Sequence, residues 1–108
     1  LAKINNYHVQ MFAYFLDKLK KTPDGSGNLL DHSMVLYGSG MGNGSRHSLK
    51  DLPILLAGHG NGKLKQGQHH RYKSNETPLS NLFVVMLQQM GVPVESFSDS
   101  TGTLDHLT

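Results

Sequence analysis

The residues best suited to chemistry lie in one glycine-rich stretch, Gly38-Ser39-Gly40-Met41-Gly42-Asn43-Gly44-Ser45-Arg46-His47-Ser48. Glycine tolerates positive φ and lets backbone N–H groups come close to an anion. Arg46 can hold an anionic oxygen, and His47 can ligate a metal or pass a proton. The stretch is not a P-loop, which needs Gly-Lys-Ser/Thr opening a helix. It also lacks the spacing of a dinucleotide fingerprint. Ser39 and Ser45 have the nucleophile's hydroxyl, but neither sits in a Gly-x-Ser-x-Gly elbow. A plain alternative stands beside the anion-binding one: a tight loop that needs glycine for its shape, with His47 in solvent.

Seven histidines are the unusual count in this composition. His69-His70-Arg71 puts two imidazoles side by side. On extended backbone, neighbouring residues point to opposite faces and rarely share one metal. His59, His69 and His70 can meet only if folding brings them together. His8 falls on an apolar stripe and reads as a core or interface histidine. His32 follows Asp31 and reads as a turn residue, and His106 lies in a polar tail. The eight carboxylates include no pair with a metal-protease spacing such as H-E-x-x-H. A complete hydrolytic constellation is therefore not expected on this chain.

The elements that must position these residues follow from periodicity. From about Leu1 to Lys21, Ile4, His8, Met11, Phe12, Phe15, Leu16 and Leu19 recur at helical spacing. Lys18, Lys20 and Lys21 gather at the helix end, where cations suit the macrodipole. Thr22-Pro23-Asp24-Gly25-Ser26-Gly27 stops the helix in a turn. Ser33–Tyr37 and Leu52–Ala57 are short continuous apolar runs. Each reads as a strand covered on both faces, as in a parallel sheet, with Pro53 tolerated at a strand start. Lys63–Tyr72 reads as a hairpin arm or an ordered loop. Thr77 and Pro78 suit an N-cap and first helical position, before the stripe Leu79, Leu82, Phe83, Met86, Leu87 and Met90. Gly91 suits the helix end. The expected order is helix, strand, strand, helix in one segment, 1–108. Two helices and two doubly covered strands need more layers than this chain supplies.

Composition narrows the function classes. The chain has 108 residues, 12 Gly, no Cys, 37% hydrophobic and 17% charged residues. The absence of Cys excludes disulfides, thiolate zinc sites and a Cys nucleophile. A net charge of +2 is no nucleic-acid footprint, because the basic residues neither cluster nor interleave with aromatics. No run approaches the ~18 apolar residues of a membrane span. No signal peptide is visible, and a start at Leu1-Ala2-Lys3 without Met suggests an internal start.

The stretch Leu29 to Gly44, with Asp31-His32-Ser33-Met34-Val35-Leu36-Tyr37-Gly38-Ser39-Gly40 at its centre, resembles the carboxyl-terminal part of the HXXSHH family. So do His47, Asp51-Leu52-Pro53-Ile54-Leu55-Leu56-Ala57-Gly58 and Gly67-Gln68-His69-His70-Arg71-Tyr72. The resemblance continues through Glu76–Leu82 and Met90–Phe97 to Asp99-Ser100-Thr101-Gly102. Members are exported bacterial proteins several times longer than this chain. Their His-rich motif would lie before Leu1.

That family is similar to the alkaline phosphatase and sulfatase superfamily. The resemblance implies the carboxyl-terminal portion of a three-layer α/β/α fold. It also implies a partner in the rest of the parent polypeptide, a small anionic substrate and an exported location. In the superfamily, a strand ends in Ser-Asp-His-Gly, whose Asp and His bind metal. Here Gly38-Ser39-Gly40-Met41 stands in that place, so the pair is missing. Only His47 carries over, as a metal or anion ligand, with Gly38, Ser39, Gly40 and Arg46 as an anion-binding loop. A divalent metal would belong to the full-length parent, and the nucleophile lies outside this chain. Two functions follow as expectations: part of a metal-dependent ester hydrolase, or a binding or structural module without chemistry. On either, the isolated chain is expected to lack esterase activity.

Overall fold

A computed structural model describes residues 2–40 and 45–108. Helix α1 spans Ala2–Lys21 and ends with Lys18, Lys20 and Lys21 in its last turn. Thr22 closes it: its backbone N–H donates to the Leu19 carbonyl (3.3 Å) and its hydroxyl to the Lys18 carbonyl (2.6 Å). The turn expected after α1 is a miniature hairpin. β1 (Pro23–Asp24) pairs antiparallel with β2 (Gly27–Asn28). Gly25 begins its two-residue loop at φ +63°, the glycine position of a II′ turn.

The two apolar runs form β3 (Val35–Gly38) and β4 (Ile54–Ala57). They pair antiparallel in register Val35↔Ala57 to Gly38↔Ile54, in place of the parallel-type arrangement expected. Continuous apolar runs specify covered strands but not the direction of their neighbour. Pro53 falls just before β4, where its missing N–H costs no ladder bond. Neither strand holds a buried residue, and Leu55 is 49% exposed.

Helix α2 spans Ser80–Gln89, two residues later than the Thr77-Pro78 signal suggested. Pro78 and Leu79 instead accept the first turn's bonds from Asn81 and Leu82 (3.0 and 2.9 Å). The helix ends in a Schellman pattern. Gly91 sits at φ +86°, its N–H donates to Gln88, and the Val92 N–H reaches back to Leu87 (both 3.0 Å).

Among the described residues, the buried apolar ones are Leu64, Leu82, Val84 and Val85. Val84 and Val85 lie off the stripe expected from the sequence, whereas Met90 on that stripe is 72% exposed. Val84 and Val85 lie one turn beyond Ser80 and Asn81 on the same face of α2, and the carboxyl-terminal tail bonds to both of those residues. Ser80 Oγ donates to Asp99 Oδ1 (2.6 Å), and Asn81 exchanges two bonds with Thr101 (3.2 and 2.8 Å). Phe83 and Phe97 meet edge to face at 6.2 Å. The tail is thus fastened rather than frayed. Its far end is held by Lys65 N–H on the Leu107 carbonyl (2.8 Å).

Helix α1 contributes no buried residue. Phe12 stacks on Tyr37 at 4.9 Å and holds the helix beside β3. The radius of gyration is 15.1 Å, against about 13 Å for a compact chain of this length. The excess reflects a thin slab, 45 × 39 × 21 Å, whose two helices share no common core.

Candidate functional site

The antiparallel β3–β4 pair gives its two ends different chemistry. At one end β3 hands over to Gly38, Ser39 and Gly40, and the chain returns through Ser45, Arg46 and His47 before β4. Met41–Gly44, the middle of that loop, lie outside the described residues. Gly38, Ser39, Gly40, Arg46 and His47 are all exposed. Among the described residues, none would come within 4 Å of a Cβ on Gly40. His47 occupies left-handed backbone at φ 52°, and Asp51 repeats this at φ 54°. Positive φ is costly for such residues, so the loop is sharply folded without glycine at those two places. Ser48 is half-buried and its hydroxyl accepts the Lys50 N–H (3.4 Å). The predicted site residues therefore share one exposed loop at one end of the strand pair.

Behind this loop, Asp51, Arg71, Tyr72, Lys73 and Ser74 line an open concavity of about 490 Å³. Lys73 is paired with Glu76 at 3.1 Å. The Tyr72 hydroxyl donates to the Asp105 carbonyl (3.0 Å). Burial, then the nearby Asp105 charge, holds this phenol above its ordinary value of 10.0.

At the opposite end, two loops meet. His59, Gly60 and Asn61 donate backbone bonds to Leu30, Ser33 and Asp31 (3.1, 3.0 and 2.8 Å). Gly58 makes this crossing possible. It is buried at φ +95°, and a Cβ there would run into the Ser33 carbonyl. Gln66 Nε2 donates to the Gly58 carbonyl and caps the junction. Asn28 and Asp31 bond reciprocally, side chain to backbone, at 2.9 and 3.0 Å. The result is a second open concavity, about 380 Å³, lined by Asp31, His32, His59, Asn61 and Gly62. His32 Nδ1 lies 2.8 Å from Asp24 Oδ2, and His59 Nε2 lies 4.0 Å from Asp31 Oδ1.

This second cluster has no signature in the sequence beyond the neighbours Asp31-His32, which read as a turn. Asp24 and His59 come from the hairpin and from the loop after β4, and no short-range spacing ties them together. Folding does not bring His59, His69 and His70 together, in line with the outward alternation expected of neighbours on extended backbone. His59 faces Asp31, whereas His70 bonds Gln68 (2.9 Å) and stacks on His106 at 6.0 Å. His69 is exposed. His8 is exposed too, 6.2 Å from the Tyr7 ring, and is not a core histidine.

Among the described residues, no three His, Asp or Glu side chains come together as a metal-ligand set. His47 alone does not fit a metal centre, because a structural or catalytic zinc takes at least three protein ligands. Among the same residues, no helix is long and apolar enough to cross a membrane. Compared with known proteins, the chain matches no family model, no curated protein and no solved structure.

Proposed function

We propose that this chain is the carboxyl-terminal portion of a longer α/β protein of the alkaline phosphatase and sulfatase type. Its part is to present an anion-binding loop, Gly38-Ser39-Gly40 with Arg46 and His47, to a small anionic substrate. One observation carries the reading: the apolar surface is left uncovered. Helix α1 has no buried residue, and the two-stranded sheet exposes Leu55 although its runs suit strands covered on both faces. Such surfaces suit a layer whose neighbours come from elsewhere in a larger fold.

The chemistry assigned to the loop is binding. The Arg46 guanidinium donates charge-assisted hydrogen bonds to an oxyanion. Glycine at 38 and 40 leaves no side chain between that oxyanion and the backbone N–H groups of the loop. The His47 imidazole supplies a further donor when protonated. Nucleophile and metal ligands are assigned to the rest of the polypeptide, so no bond-breaking step is placed on these residues.

The second reading is a binding or structural module without catalysis. Calorimetric titration of inorganic phosphate and sulfate into the full polypeptide tests the anion site. Arg46→Ala should weaken binding about tenfold, the value of one charge-assisted bond. Unchanged affinity in both Arg46→Ala and His47→Ala would remove the site from this loop. Ester hydrolysis and metal content of the same polypeptide then separate the hydrolase from the silent module.

A further inference from the structure

Helix α1 carries two apolar lines, and among the described residues only one is partly covered. Phe12, Leu16 and Leu19 are its half-buried residues, and Phe12 stacks on Tyr37 of β3. About 100° around the helix, Ile4, Tyr7, Met11 and Tyr14 form a second line, with Phe15 beside it. Their spacing is three, four, three, the seam of a helix pair crossing at about 20°. Ile4, Tyr7 and Tyr14 are 57–59% exposed. Lys18 continues the seam, its ammonium 5.3 Å from the Tyr14 ring centroid, and Lys3 stands at the other end.

From this geometry we infer that the seam receives a helix of the same polypeptide, from outside residues 1–108. That helix is amphipathic, with apolar residues at matching three–four spacing and carboxylates facing Lys3 and Lys18. The spacing selects a helix over a strand, because a strand's period of two would bring only every other residue into register. The charges at both ends select an acidic flank. The area argues against a second copy of the chain. The five side chains offer on the order of 500 Å², whereas a stable interface between separate proteins takes about 800 Å² from each partner. A segment of the same polypeptide escapes that requirement, because its effective concentration is set by the chain.

This inference rests on the reading of the chain as part of a longer protein. The test places the photo-crosslinking residue benzoylphenylalanine at Tyr7, and separately at Ile4, in the full polypeptide. Crosslinked peptides are mapped by mass spectrometry. The expected product has the mass of one polypeptide, joined to a helical segment outside residues 1–108 that carries the stated pattern. A product of twice the mass would overturn the inference in favour of a second copy. So would a crosslink to a non-helical segment, or none at all. Met11→Glu gives an independent check, with a several-fold increase in binding of a hydrophobic dye by the full polypeptide as the released face becomes exposed. No increase overturns the inference. The mass of the natural polypeptide reports separately on the longer-protein reading, and anion titration reports on the loop.

Discussion

Replacing Gly58 with alanine tests how the two ends of the strand pair are built. Gly58 is buried, sits at φ +95°, and would drive a Cβ into the Ser33 carbonyl, with the Leu30 carbonyl 3.3 Å away. Holding a non-glycine residue in such backbone costs about 1–3 kcal/mol. The backbone must also shift, and the crossing it anchors uses three hydrogen bonds, His59 to Leu30, Gly60 to Ser33 and Asn61 to Asp31. Each contributes about 0.5–1.5 kcal/mol net. Losing one or two of them with the strain gives a destabilisation of about 1.5–6 kcal/mol. For a domain this size, that lowers the melting temperature by about 7–25 °C. Gly62→Ala is the control, because Gly62 also has positive φ, +82°, but meets nothing within 4 Å. It should cost only about 1–2 kcal/mol. Thermal and urea unfolding followed by circular dichroism read both variants. Equal losses would refute the claim that close approach to Ser33, and not φ alone, reserves this position for glycine.

Asn81→Ala removes both bonds to Thr101 from a site only 5% exposed, and should cost about 1–3 kcal/mol. Hydrogen exchange should quicken first in residues 97–104; exchange unchanged there would mean the tail does not depend on the clamp. Tyr72 should ionise above 10.0 in the folded protein, read by phenolate absorbance, and Asp105→Asn should move the titration back toward the ordinary value. The sign follows from the raised folded value. The stabilising contribution is complete below pH 10.0 and fades as pH climbs through the folded value. A Tyr72 titration at or below 10.0 would contradict the partial desolvation of this phenol and its proximity to Asp105.

Local physics was legible in the sequence where a single segment decided the outcome. The three-to-four spacing of Ile4 through Leu19 wrote α1, and Gly91 marked the end of α2 through its left-handed cap. The runs around Val35 and Ile54 became strands, but their sense of pairing was hidden, since an apolar run carries no direction. The buried side of α2 was misjudged at Val84 and Val85. The face they share with Ser80 and Asn81 is the one the tail fastens to, through Ser80 to Asp99 across nineteen positions, and periodicity within a helix cannot report so distant a neighbour. Gly38, Ser39, Gly40, Arg46 and His47 could be grouped from the sequence because one inter-strand loop contains them all. The Asp24, Asp31, His32 and His59 cluster was missed because three separate segments build it. The uncovered faces of α1 and β4 fit the shortage of layers that the sequence already implied.

The central claim is that this chain presents an anion-binding loop at the carboxyl end of β3. Hydrogen–deuterium exchange of the full polypeptide, with and without saturating inorganic phosphate or sulfate, tests it most directly. The account predicts slower exchange in the peptide spanning 38–47, lost in Arg46→Ala, with peptides around Asp31 and His59 unchanged. Protection confined to the Asp31–His59 concavity, or no protection in either place, would contradict it.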